Sequence, residues 1–122
     1  MHKSQLGAII IDCQTETLPE QADFWSHALG LKPGRSDERY IHLEGRDKDL
    51  VVTLQKVEHP NRVHIDIETD DIDAEVKRLQ ALGAIIVEKM ERWVVMEAPS
   101  KHRFCIINVA RGDFETNANV WE

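Results

Sequence analysis

Residues 63–68 alternate strictly between apolar and polar. Val63, Ile65 and Ile67 fall on one face of an extended segment and His64, Asp66 and Glu68 on the other. Asp70 then stands where a helix N-cap belongs, with Asp71 and Asp73 in the first turn against the positive end of the helix dipole. Ile72, Val76, Leu79 and Leu82 follow at helical spacing as one apolar stripe, and Gly83 supplies the left-handed residue that ends it. Such a strand packs its aliphatic face on a helix and turns a row of His, Asp and Glu towards something wet.

The same plan precedes it. Leu6–Cys13 reads as a buried strand, and Thr17-Leu18-Pro19-Glu20 as a helix start, with Thr17 and Glu20 closing a capping box. Leu18, Ala22, Trp25 and Leu29 form the stripe, and Gly30 ends it. Gly34 marks a turn, and the strands Tyr40–Glu44 and Leu50–Val57 follow, separated by the polar run GRDKD. His59-Pro60-Asn61 is the linker to the strand Arg62–Glu68. After the second helix come strands Ala84–Lys89, Arg92–Glu97 and Arg103–Val109. The halves also match in detail. Ala28-Leu29-Gly30 and Ala81-Leu82-Gly83 are offset by 53 residues, and the same offset carries Tyr40–Glu44 onto Trp93–Glu97. The expected fold is α+β, two tandem β-α-β-β-β modules (1–59 and 60–122) within one domain.

A chain of 122 residues is long enough to bury one sizeable core. Its formal net charge of −7 and scattered basic residues argue against a nucleic-acid surface, which needs clustered Lys and Arg. No apolar segment approaches membrane-spanning length, so no membrane role and a cytoplasmic location are expected. Two cysteines, Cys13 and Cys105, are too few for a disulfide framework, and both sit in aliphatic strands.

The segments RVHIDIETDDIDAEVKRLQALGA and WVVMEAPSKHRFCIINV resemble the vicinal oxygen chelate superfamily. More narrowly, they resemble the glyoxalase-like domain of the glyoxalase, bleomycin-resistance and dioxygenase group. The resemblance implies that each module curls its strands into half of a cup. The two halves would form an open mixed barrel, helices outside, around a small-molecule cavity. Strand parity then places Tyr40, His42, Glu44, Trp93 and Glu97 on the cavity side with His64, Asp66 and Glu68. Phe24-Trp25 matches the family's aromatic pair in the first helix and reads as core packing.

Metal-dependent members of such a group take four inward ligands from the first and last strands of the modules. Carried onto this chain, those positions hold Gln5, His64, Cys105 and Thr53, with Gln55 two residues beyond. Gln5, His64 and Cys105 are the ligand candidates. The set is incomplete, because it lacks the family's carboxylate and mixes hard with soft donors. Without a metal, His64 could serve as general base, with Asp66 or Glu68 raising its basicity. The resemblance therefore implies a lyase or isomerase acting on a small oxygenated metabolite. The alternative is a non-catalytic protein that sequesters a drug or metabolite, in which Tyr40, Trp93 and Trp121 would offer ring faces to a cation. A third reading is a scaffold with a vestigial cavity. A small molecule is the expected partner. A homodimer is expected too, with Val120-Trp121 as apolar surface.

Overall fold

The protein is described as a computed structural model covering residues 1–45 and 50–122; most of the GRDKD run lies outside the described residues. It divides into two compact units, Ala8–His64 and Met1–Gly7 with Ile65–Glu122. Strand β1 (His2–Cys13) gives its second half to the former and its first half to the latter.

In Ala8–His64, strand β2 (Lys32–Ser36) pairs with β3 (Tyr40–Glu44), β3 with β4 (Val51–Lys56), and β4 in parallel with β1. Helix α1 (Leu18–Leu29) lies over β2, β3 and β4. The core joins Leu18 and Ala22 to Cys13, Ile41, Leu43 and Leu54, with Ile11, Trp25 and Val52 packed on it. Successive strand residues point to opposite faces, so Asp12, Tyr40, His42, Thr53 and Gln55 fall on the face away from α1. Gly30 ends α1 in the left-handed region at φ 69°, as its position predicts. The capping box does not form: Thr17 makes no cap bond and its hydroxyl pairs with Thr15 instead. Gly34 lies within β2, not in a turn. Its missing side chain leaves room for the Glu44 carboxylate across the strand.

In the other unit, the first half of β1, β5 (Arg62–Thr69), β8 (Arg103–Asn108), β7 (Val94–Glu97) and β6 (Ile85–Lys89) are successive neighbours. β5 and β8 run parallel, and β9 (Asn119–Trp121) closes on β1 antiparallel. Helix α2 (Ile72–Ala81) covers β6 and β8, and its Val76 meets Val94, Met96, Phe104 and Ile106 in the core. The cap of α2 is Asp71, which accepts from the Ala74 amide at 3.0 Å, one residue beyond the expected Asp70. Asp70 is taken by the Lys3 amide at 2.8 Å. The short helix α3 (Phe114–Asn117) and β9 carry no periodicity that the sequence could have betrayed.

Fold class is mixed α+β, and each unit repeats the expected strand, helix and three strands. Several apolar residues depart from expectation, among them the stripe ends Leu29 and Leu82, which are 48% and 66% exposed. Val63 and Ile65 are exposed, because α1 and α2 lie chiefly over the later strands of their units, and Phe24 on α1 is exposed rather than packed.

Candidate functional site

The face of Ala8–His64 away from α1 centres on Asp12, at the end of the apolar run in β1. Its side chain is only 1% exposed. Oδ2 accepts a hydrogen bond from His64 Nδ1 at 2.8 Å and one from Arg62 Nε at 3.4 Å, with His59 Nε2 at 3.8 Å. Oδ1 is buried with no partner among the described residues. A carboxylate can only accept, so Nδ1 of His64 carries its hydrogen and Nε2 is the basic nitrogen of the neutral ring. A carboxylate behind a histidine also favours the ring's protonated form. This is the arrangement of an oriented general base. Asp12 is the residue that sequence reasoning missed as a partner of His64. Its one signal is a charge closing an aliphatic strand directly before Cys13, since a charge buried there has to be paired.

The same face continues along the sheet. Asp12 is in register with Gln55, and Gln55 with Tyr40, whose hydroxyl accepts from Gln55 Nε2 at 3.2 Å. His42 shares a 2.8 Å hydrogen bond with Thr53. Tyr40 and His42 also line a small cleft with Asp37, whereas Glu44 is exposed at the end of β3. Backbone amides of Arg39 and Tyr40 bonding to Asp37 hold its carboxyl below the ordinary range. On the opposite face, burial first and the Asp12 charge second push the Cys13 thiol up, which keeps it protonated and inert.

In the other unit Glu68 is fully buried. Its Oε1 accepts from the Ala110 and Arg111 amides at 2.9 and 3.0 Å, and its Oε2 from Gln5 Nε2 at 2.7 Å. Gln5 Oε1 accepts in turn from Asn117 at 2.7 Å. Both ends of the Gln5 amide are thus held by protein groups, and Glu68 is bonded on both oxygens. Asp66 follows His64 along the same face of β5, and within this unit it stands in register with Cys105 of β8. A carboxylate beside a thiol is a pair able to contribute to a metal site. Trp93 is partly exposed in the turn before β7, and Glu97 faces Arg103 at 3.7 Å. The Trp121 ring already holds a cation, the Arg78 guanidinium 3.9 Å from its centroid.

A family model described as a glyoxalase-like domain matches residues 8–107. Among curated proteins none matches the sequence. Methylmalonyl-CoA epimerase from Mycobacterium tuberculosis is similar in structure, with a TM-score of 0.68 at 13% identity over 86% of this chain and 87% of that one. The Mn(II)-bound glyoxalase from Novosphingobium aromaticivorans gives 0.62 at 17% identity, over 88% of this chain and 40% of its own. Homoprotocatechuate 2,3-dioxygenase from Brevibacterium fuscum, in complex with 3,4-dihydroxyphenylacetate, gives 0.63 at 16%, over 89% and 39%. At such identities the likeness is one of fold.

Proposed function

The chain belongs to the glyoxalase-like domain family of the vicinal oxygen chelate superfamily, and from that premise we propose that it is a lyase or isomerase that moves a proton on a small oxygenated metabolite. The observation that carries this reading is the buried Asp12 carboxylate 2.8 Å from His64 Nδ1. His64 is the base, Nε2 the atom that takes the proton, and Asp12 the positioning residue that fixes the tautomer and stabilises the imidazolium. A carbon acid next to a carbonyl is the substrate class that such a base serves. Its relatives by fold include an epimerase and a glyoxalase. We assign Asp66 and Cys105 to a divalent ion, with the thiolate favouring zinc over manganese.

The test is solvent deuterium exchange. A panel of 2-oxo acids, 2-hydroxy ketones and acyl thioesters is incubated with the protein in heavy water, with and without added zinc or manganese, and followed by proton NMR. The wild type should exchange the carbon-bound hydrogen of at least one class. His64→Gln should lower that rate by roughly 100-fold or more and Asp12→Asn by a smaller factor. Tight binding without exchange would favour the sequestration reading instead. The mutual pairing of Tyr40 with Gln55 and of His42 with Thr53 would suit that reading as a passive pocket wall.

A further inference from the structure

A second feature of Ala8–His64 lies at the end of β1 beside α1; Asp12 and Arg62 reach it, and His64 does not line it. A cleft of about 490 Å³ opens between the end of β1, helix α1 and the start of β5, which is a volume suited to a small ligand. Its apolar wall consists of Trp25, Phe24 and Val63. Phe24 is 62% exposed and Val63 63%, an unusual cost for two large apolar side chains that converge on one cleft. Phe24 and Trp25 meet edge to face, with centroids 5.2 Å apart and planes at 88°, which fixes two aromatic surfaces at right angles.

The polar wall is equally specific. Arg62 is the one cationic side chain lining the cleft among the described residues, and 45% of it is exposed. Its Nε is directed to Asp12, and among the described residues its two Nη nitrogens have no partner. Gln21 and Asn61 add neutral amides. Among the described residues Asp12 is the only acid lining the cleft, and its Oδ2 is already shared by Arg62, His64 and His59. One guanidinium edge, neutral amides and two aromatic walls match a ligand with one carboxylate and a flat apolar body. A phosphate dianion would call for more positive charge than a single arginine.

We propose that this cleft binds a small aromatic monocarboxylate, its ring against Trp25, Phe24 and Val63 and its carboxylate on Arg62. His64 does not line the cleft, although Asp12 and Arg62 belong to both places. The probes are 2-naphthoate and its neutral counterpart 2-naphthamide, titrated calorimetrically into the full chain. The acid binds the wild type more tightly than the amide. Arg62→Gln weakens the acid by about tenfold or more and leaves the amide unchanged, since it removes one charge-assisted hydrogen-bonding edge. Phe24→Ser, at an exposed position where folding is safe, weakens both. His64→Gln keeps naphthoate binding while losing deuterium exchange, so the two readings fail separately. Equal affinity for acid and amide, an unchanged acid affinity in Arg62→Gln, or no binding of either probe at millimolar concentration overturns the proposal. So does sedimentation showing a dimer that Phe24→Ser dissociates, which would make a second copy the occupant.

Discussion

A carboxylate buried as deeply as Asp12 has to be compensated, and three cation-capable groups share its Oδ2 while Oδ1 has no partner among the described residues. The Cys13 thiol is pushed up by its burial and by the Asp12 charge, so at pH 8 it should resist alkylation by iodoacetamide in the folded protein. Peptide mass spectrometry checks this, with the denatured chain as control. Rapid modification of Cys13 under native conditions would contradict the packing described for it. Residue by residue, the sequence named His64 and could not name its partner, because Asp12 and His64 are 52 positions apart. Periodicity reports faces of one strand and is silent on which strand lies beside it. The same limit hid the roles of Glu68, whose place on an alternating pattern reads as wet, and of Gln5, which the family resemblance offered as a metal ligand. They are satisfied instead by the Ala110, Arg111 and Asn117 groups of the C-terminal segment.

Among the elements, α2 is tied to both ends of the chain through one buried acid. Glu75 accepts from Arg78 twice, each at 2.8 Å, and from His2 Nε2 at 2.8 Å. Arg78 stacks on Trp121, whose Nε1 donates to Ser4 at 2.8 Å, so β9, the start of β1 and α2 form one polar cluster. Burial by itself would push the Glu75 carboxyl up. Hydrogen bonds from Arg78, His2 and Ser4, together with the Arg78 charge, outweigh it and hold the group below its ordinary value of 4.5. A folded pKa below the unfolded one makes the stabilisation complete above that ordinary value and removes it as pH falls through the folded pKa. Glu75→Gln should therefore cost about 2 kcal/mol or more at pH 7, and progressively less in acid. Chemical denaturation across pH checks the sign. A penalty that grows on acidification would contradict it. Helix α2 was legible from its stripe and acidic start, and its cap shifted by one residue only because Lys3 claims Asp70. The capping box expected at the start of α1 does not form, because a local hydroxyl pair takes Thr17 instead.

Across the whole chain, the internal repeat was the strongest information in the sequence. The offset of 53 that maps Tyr40–Glu44 onto Trp93–Glu97 also maps β3 onto β7, the third strand of each series. Duplication of that kind survives as pattern because each copy must bury one face under one helix. The opposite face is under no such packing demand, so it carries no such redundancy, and its chemistry had to come from the geometry. That geometry rests on one contact. Long-range proton–nitrogen NMR of the His64 ring, recorded at a pH where the ring is neutral, tests it without any substrate in hand. The expected result is a ring protonated on Nδ1, with Asp12→Asn weakening that preference while the fold is retained. A ring protonated on Nε2 in the wild type, or a tautomer indifferent to Asp12→Asn, would contradict the pairing on which the proposed chemistry depends.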